Sequence, residues 1–242
     1  MRPKIVTIET LQQVDPTKEC FVIKKTLDEE ICIKLVDYLR NFAKENKKNK
    51  KTKGENWHYS VNSNGNFFET FLFNDLAKLD FSLLTLAYKN LFDIYNILGE
   101  HTVINDFNKE ITISDFFGDF RIINPLVFWY FNEKSDFGFH KHDIRNQKFQ
   151  LLTNLTQPKY DYDSGETWVY MGDGKPNLYD KSLKEKCVIF GDEFEIGDTF
   201  SFPYDRWHKV VKCVDSAYKN GNRVSLLMPL GPRNNNYKNE IL

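Results

Sequence analysis

Residues 137–143 read FGFHKHD, and they place two histidines, His140 and His142, one residue apart and next to Asp143. The chain has only five histidines among 242 residues, so this spacing singles out one position in the fold. Side chains at positions i and i+2 of a strand point to the same face. The stretch therefore predicts a strand whose inner face carries two imidazoles, whereas Asp143 reaches that place only if the chain bends or bulges.

The sequence after about residue 110 predicts many short strands. Segments rich in β-branched and aromatic residues are separated by Gly, Asp, Asn and Pro turn signals. The segments are ITIS (111–114), FRIINPLVFWYF (120–131), FQLLTNL (149–155), ETWVYM (166–171), CVIF (187–190), DTFSF (198–202), KVVKCV (209–214) and RVSLLMPL (223–230). Short strands at this spacing indicate an antiparallel sandwich or a small barrel.

The first 110 residues predict mainly helices. FVIKK (21–25) indicates a short strand, after which Thr26 and Glu29 have the spacing of a helix-capping box. Helical periodicity then follows, and it returns between Asn74 and Leu98 before a break at Gly99. We expect one domain over residues 1–242, with a helical support in 1–110 and a β core in 111–235.

Charge, the first residues and the cysteine spacing argue against several classes of protein. The 33 Lys and Arg residues balance 34 Asp and Glu residues, so bulk charge gives no reason to expect nucleic acid or a membrane as partner. The stretch MRPKIVTIET lacks the apolar run of a signal peptide, which favours a cytoplasmic protein. The four cysteines show no C-x-x-C spacing, which argues against a zinc ribbon. The oligomeric state stays open.

A third histidine lies far downstream in GDTFSFPYDRWHKVV (197–211), where His208 follows a Gly-Asp turn and a proline. Two close ligands and one distant ligand can form a facial three-ligand metal site in a barrel, and non-haem Fe(II) is the metal we expect there. The alternative is a surface pair of histidines and a core histidine bonded to backbone.

Fifteen residues beyond His208, the segment GNRVSLLMPLG places Arg223 two positions before Ser225. A guanidinium on an inward-facing strand is costly to bury unless an anion meets it. Its planar fork matches a carboxylate, and Ser225 can add a hydroxyl donor from the same face. The alternative is an ion pair with an Asp or Glu of the same chain.

The sequence from about residue 120 to 230 resembles the Fe(II)/2-oxoglutarate-dependent dioxygenases. In that family a Tyr-bearing strand precedes H-x-D or H-x-E, and a distal His precedes an Arg with a hydroxyl residue two positions later. The matching segments here are FWYFNEKSDFGFHKH (128–142), FEIGDTFSFPYDRWHKV (194–210) and NRVSL (222–226). KFQLLTNLTQPKYDYDSGET (148–167) looks like the intervening core strand and its D-Y-x-G-G-E turn, with Ser164 in place of one glycine.

This resemblance implies an α+β protein whose core is a double-stranded β-helix, a jelly-roll or cupin-like barrel, with supporting N-terminal helices. It implies that His140 and His208 bind Fe(II), and that Arg223 and Ser225 grip the distal carboxylate of 2-oxoglutarate. Tyr130, on the leading strand, is the further residue expected at the cosubstrate.

The third metal ligand is where this sequence departs from the family. The carboxylate position two residues after His140 holds His142. Strand geometry favours His142, which would give three neutral imidazoles. The prevalence of the carboxylate ligand in the family favours Asp143, reached by a one-residue shift of the backbone. We take His142 as the third ligand and keep Asp143 as the alternative.

We therefore expect an Fe(II)- and 2-oxoglutarate-dependent oxygenase that uses dioxygen, hydroxylates a small molecule or an amino-acid-like substrate, and releases succinate and carbon dioxide. Several residues are candidates to line its pocket, although aromatic side chains also fill cores: Trp57, His58, Tyr59, Trp168 and Arg206.

Two other functions compete with this expectation. One is a cupin-type dioxygenase that holds iron with three histidines and does not use 2-oxoglutarate. That interpretation leaves Arg223 and Ser225 without a role, and this sequence lacks the glutamate that cupins carry after H-x-H. The other is a catalytically inactive barrel that binds a ligand or a protein partner, which the loss of the usual carboxylate position would suit.

Overall fold

The computed structural model describes residues 1–46, 58–61, 67–72, 81–99, 102–104, 110–112, 126–130, 137–142, 148–191, 193–213, 223–227 and 240–241. Over these ranges the protein is a mixed α+β structure with two large sheets, one small sheet and two α-helices. No helix within these ranges is long and apolar enough to cross a membrane.

The helices are α1 (Glu29–Asn46) and α2 (Phe81–Ile97), with 3-10 helices at Ile8–Gln13 and Leu183–Lys186. The strands are β1 (Lys4–Val6), β2 (Phe21–Ile23), β3 (His58–Val61), β4 (Phe67–Leu72), β5 (Thr102–Ile104), β6 (Glu110–Thr112), β7 (Leu126–Tyr130), β8 (Phe137–Lys141), β9 (Phe149–Asn154), β10 (Thr167–Tyr170), β11 (Cys187–Phe190), β12 (Thr199–Pro203), β13 (His208–Val210), β14 (Arg223–Leu227) and β15 (Glu240–Ile241).

The strands form an eight-stranded sheet in the order β1-β2-β12-β9-β14-β7-β4-β3 and a five-stranded sheet in the order β11-β10-β13-β8-β15. β5 and β6 form a separate pair. Among these strands, as far as the described residues show, each pairing is antiparallel except that of β1 with β2. All eight strand segments predicted after residue 110 contain or overlap a strand. The first 110 residues add four strands of the larger sheet to the two helices, and the sequence had indicated only β2 among them.

Alternation along the central strands separates two apolar layers. On β14, Val224 and Leu226 belong to the cluster that packs against α1 and α2, whereas Leu227 belongs to the cluster between the two large sheets. Successive side chains of a strand point to opposite faces. Arg223 and Ser225 therefore share the face of Leu227 and point between the sheets, as the sequence predicted.

The layer between the sheets is largely aromatic and aliphatic. Phe200 and Phe202 of β12 pack there with Leu152 of β9 and with Val169 and Phe190 of the smaller sheet. Full burial of a large apolar side chain contributes about 1.5–3 kcal/mol. This layer holds the two sheets face to face. The polar side chains that point into it, such as Arg223 and Ser225, belong to the candidate site.

The Gly-Asp turn before β12 is fixed by its contacts with the N-terminal half. Gly197 has φ +83°, and a Cβ there would lie 2.0 Å from the carbonyl oxygen of Leu27. The buried carboxylate of Asp198 accepts hydrogen bonds from Lys24 Nζ at 2.6 Å and from the backbone N–H of Lys25 at 2.9 Å. These contacts anchor the start of the segment that leads to His208.

The predicted capping box at Thr26 and Glu29 is wrong. Helix α1 begins at Glu29, and the side chain of Asp28 accepts a hydrogen bond from the N–H of Glu30 at 2.8 Å. The Thr26 hydroxyl instead donates to the carbonyl oxygen of Gly197 at 2.7 Å. A tertiary contact has taken the hydroxyl that the local motif assigned to the helix. The predicted break at Gly99 is confirmed, since α2 ends just before it and Gly99 has φ +82°.

Candidate metal centre

The pairing of β8 with β13 brings two of the three predicted histidines together. His208 is the direct cross-strand partner of His140, and the register shifts between His208 and Val210. Both imidazoles are buried, with 5 % of His140 and 6 % of His208 exposed. Their ring centroids lie 4.1 Å apart.

His142 follows directly after β8 and completes the cluster. Its ring centroid lies 4.9 Å from that of His140 and 5.0 Å from that of His208. One nitrogen of each of the three rings lies within 4.8 Å of the others. The structure thus brings together the three residues that the sequence singled out, as a possible metal site.

Hydrogen bonds fix the orientation of the two buried imidazoles. His140 Nδ1 lies 2.9 Å from the carbonyl oxygen of Gly138, and His208 Nδ1 lies 2.9 Å from that of Arg206. A carbonyl only accepts, so each Nδ1 carries the proton and each Nε2 keeps its lone pair for a metal.

Burial keeps both of these rings neutral. The pKa of His140 is held well below its ordinary value by desolvation, and next by the neighbouring His208 and His142. Burial likewise lowers the pKa of His208 to about 3, with His142 as the second cause. Neutral imidazole is the form that binds a metal ion, so these residues compete little with protons for it.

Aromatic rings pack against the cluster, and none of these contacts was predicted from the sequence. The Tyr204 ring stacks on His142 with 4.4 Å between centroids and 17° between planes. Phe137 meets His140 edge-on at 4.0 Å, and Phe202 lies 4.7 Å from His208. Tyr204 stands four residues before His208 in the predicted distal segment, and only the fold reveals its contact with His142.

Arg223 lies where the sequence placed it, at the start of β14 and buried between the sheets. Its guanidinium donates to the carbonyl oxygen of Gly165 and, at 2.9 Å, to the hydroxyl of Thr167. Tyr130 is its direct cross-strand partner on β7. The predicted alternative ligand, Asp143, lies outside the described residues.

Ser225 shares the inward face of Arg223 and is fully buried. Its hydroxyl has no hydrogen-bond partner among the residues that the structure describes. Leaving a buried donor unsatisfied costs about 1–3 kcal/mol. A donor of this kind beside a buried guanidinium suits an anionic ligand.

The turn after β9 supplies the surroundings of Arg223. Gly165 has φ +116°, a backbone conformation that favours glycine, and it lies against Arg223, since a Cβ there would be 3.5 Å from Arg223 Cδ. Burial raises the pKa of Tyr162, whose hydroxyl donates to Asn154 Oδ1 at 3.4 Å. The D-Y-x-G-G-E pattern was the available signal for Tyr162 and Gly165, whereas Asn154 had none.

The residues considered as pocket lining are distributed differently. Trp57 lies outside the described residues, and His58 and Tyr59 stand on β3. Trp168 lies on the outer face of the smaller sheet, packed against the apolar cluster that contains Phe139, and the Lys209 ammonium is 4.1 Å from its ring centroid. Its neighbour Val169 is the strand partner of His208 and faces inward, so Trp168 points away from the histidines. Of the two roles that the sequence left open for Trp168, the structure supports packing against a core cluster.

Comparison of the sequence with protein-family models gives no match. Comparison with curated proteins gives no significant match either.

Solved structures do resemble the fold. A prolyl-4-hydroxylase from Pseudomonas putida has a TM-score of 0.57 at 11 % identity, over 92 % of this chain and 97 % of that chain. The carbocyclase SnoK from nogalamycin biosynthesis, non-haem and alpha-ketoglutarate-dependent, has a TM-score of 0.54 at 8 % identity, over 92 % and 83 %. The epimerase SnoN, solved with Fe3+, alpha-ketoglutarate and nogalamycin RO, has a TM-score of 0.52 at 11 % identity, over 91 % and 81 %. At such low identities the likeness shows that this chain shares their fold.

Proposed function

We propose that this protein is an Fe(II)- and 2-oxoglutarate-dependent oxygenase built on a double-stranded β-helix. The observation that carries the proposal is the convergence of His140, His142 and His208 into one cluster. Solved proteins of the same fold include one that holds iron and alpha-ketoglutarate together. In this proposal residues 1–242 form one domain, with 1–110 as support and 111–235 as the core.

The three imidazoles suit a metal of this kind. Imidazole is a good ligand for iron as well as for zinc, copper and nickel, so the cluster supports a transition metal and the fold favours iron among them. Three neutral ligands leave the charge of a divalent ion uncompensated by the protein. That charge would strengthen the binding of a dianionic cosubstrate.

Arg223 and Ser225 are proposed to hold the distal carboxylate of 2-oxoglutarate, with Tyr130 beside them. Arg223 offers a buried guanidinium, and the Ser225 hydroxyl has no partner among the described residues. A carboxylate that accepts from both would remove the cost of the unsatisfied hydroxyl. The cross-strand position of Tyr130 opposite Arg223 supports its place in the same subsite.

When bound, iron and 2-oxoglutarate would supply the oxidative chemistry, with dioxygen consumed and succinate and carbon dioxide released. The protein's own residues orient these groups and keep the imidazoles neutral. We propose hydroxylation of a small molecule or an amino-acid-like substrate as the outcome. The reactions named for SnoN and SnoK are an epimerisation and a carbocyclisation, so the fold alone does not select hydroxylation.

Anaerobic calorimetry tests the proposal directly. Titration of 2-oxoglutarate into the Mn(II)-loaded protein should give saturable binding to one site per chain, and titration into the metal-free protein should give much weaker binding. If the loaded protein does not bind 2-oxoglutarate, the assignment is wrong.

A three-histidine dioxygenase that does not use 2-oxoglutarate is the second candidate, favoured by the ligand set itself. It predicts oxygen consumption without succinate when the iron-loaded protein meets a cell extract. An inactive binding barrel predicts retained ligand binding without oxygen consumption. The proposed oxygenase predicts succinate in proportion to the oxygen used.

A further inference from the structure

A cleft of about 380 Å³ is lined by residues of the smaller sheet and of the turns next to it. Tyr170 and Trp207, both buried, contribute the aromatic part of its lining. The rest comes from Lys141 at the end of β8, the turn at 172–175 and residues 205–206. Volumes of about 300–1,000 Å³ are typical of sites for small molecules.

Three cationic side chains converge on this cleft. The ammonium groups of Lys141 and Lys175 lie 5.6 Å and 5.4 Å from the ring centroid of the same indole, that of Trp207. Arg206 is half-buried, and its Nε is buried without a hydrogen-bond partner in the part of the chain that the structure describes. Cationic groups that line one cleft attract an anion that enters it.

Two carboxylates, those of Asp173 and Asp205, also line the cleft. In the described ranges neither forms an ion pair with Lys175 or Arg206. The lining therefore carries three positive charges against two negative ones, with two of the cations not neutralised by these neighbours.

The turn at 172–175, GDGK, is shaped to form one wall. A Cβ on Gly172 would lie 2.4 Å from the Tyr170 hydroxyl, so a side chain at this position would displace that ring. Gly174 has φ +70°, in the left-handed region that favours glycine. The same turn carries Lys175, whose ammonium lies over the Trp207 ring.

We propose that this cleft binds a small organic anion, a carboxylate or a phosphate ester, with its charge between Lys175, Lys141 and Arg206 and its body against Trp207. Two residues that line the cleft are close in sequence to the candidate metal ligands. Lys141 lies between His140 and His142, and the Arg206 carbonyl orients His208. Binding of the anion does not depend on the proposed oxygenase activity.

Titration of the metal-free full chain at constant ionic strength tests this proposal, with citrate as the carboxylate probe and glycerol phosphate as the phosphate ester. The readout is the indole N–H resonance of Trp207, assigned by its loss in Trp207→Phe. At least one probe should shift this resonance saturably, and the stronger probe identifies the anion class. Lys175→Ala should weaken that probe's binding at least about tenfold, as expected for loss of one charge-assisted contact.

Lys184→Ala is the matched control. Its ammonium lies 5.7 Å from the Trp168 ring and does not line the cleft. This variant should bind the probe as the unaltered protein does. The proposal is overturned if neither probe shifts Trp207 saturably, if Lys175→Ala binds normally, or if Lys184→Ala loses as much affinity, which would indicate nonspecific charge attraction. Because metal is absent throughout, these outcomes are independent of the calorimetric test of the oxygenase.

Discussion

The two polar regions between the sheets differ in how completely they are satisfied. At the histidine cluster both buried Nδ1 atoms donate to backbone carbonyls at 2.9 Å, and the rings are held neutral by burial. Beside Arg223, the hydroxyl of Ser225 is fully buried and has no partner among the described residues. The candidate metal site thus has its two buried imidazoles already oriented, whereas the proposed carboxylate subsite contains an unsatisfied donor.

This difference between the histidine cluster and the Arg223 region predicts that histidine substitutions weaken metal binding and leave the contacts of Arg223 and Ser225 with the cosubstrate unchanged. His142→Ala should weaken Mn(II) binding by more than about 100-fold, because a facial site loses one of three protein ligands. Asp143→Ala should cost at most about 10- to 100-fold, the range for residues that only orient ligands. Metal titrations of both variants decide between them. If Asp143→Ala loses the metal and His142→Ala keeps it, the chain uses two histidines and a carboxylate.

Substitution at the anion end should have the complementary effect. Arg223→Lys keeps the charge but loses the planar fork that binds a carboxylate through two hydrogen bonds. We expect 2-oxoglutarate binding to the Mn(II)-loaded protein to weaken about 100-fold, with metal affinity unchanged. Calorimetry of both ligands on the same variant measures the two effects. A variant that lost metal affinity as well would show that the two regions are not separable.

Ser225→Ala should change stability and binding in opposite directions. Removal of an unsatisfied buried hydroxyl should raise the stability of the ligand-free protein by about 1 kcal/mol. The affinity for 2-oxoglutarate should fall about tenfold, because a hydrogen bond to a charged group is lost. Thermal unfolding and calorimetry measure the two quantities.

Ser201→Ala provides the control for that prediction. Ser201 is also fully buried with an unsatisfied hydroxyl in the described structure, but it alternates with Phe200 and Phe202 and so faces away from the site. It should gain similar stability and keep full affinity for 2-oxoglutarate. Equal losses of affinity in the two variants would contradict a direct role for Ser225.

The smallest effect is expected at Tyr204, which orients His142 by stacking. Tyr204→Leu should weaken Mn(II) binding about 2- to 10-fold, since an aromatic pair contributes about 0.5–1.5 kcal/mol. Tyr204→Phe keeps the ring and should bind metal normally. If both variants bound metal equally well, the stacking would have no role in positioning His142.

The comparison also separates what the sequence could predict from what it could not. The sequence predicted which residues face inward, because strand alternation assigns a face to each residue once the strand is recognised. These residues are His140, His142, His208, Arg223 and Ser225. The contacts of Tyr204 and Asn154 depend on which strands become neighbours, and nothing local encodes that choice.

The N-terminal half shows the same limit. Its helices were predicted from their periodicity, but β1, β3 and β4 were missed. The edge strands β1 and β3 have three and four residues, too few to show a clear alternating pattern. The place of β4 depends on its pairing with β3 and β7. Thr26 was assigned to a local capping motif, and its hydroxyl instead bonds to Gly197 across the fold. Tertiary contacts overrode the local signal in that case.

Anomalous diffraction from anaerobic crystals of the protein with Mn(II) and 2-oxoglutarate tests the central claim most directly. The account predicts one manganese peak within bonding distance of His140, His142 and His208, and the distal carboxylate of 2-oxoglutarate against Arg223 and Ser225. Manganese bound by Asp143 in place of His142 would contradict the three-histidine site. A cosubstrate carboxylate away from Arg223 would contradict the anion subsite.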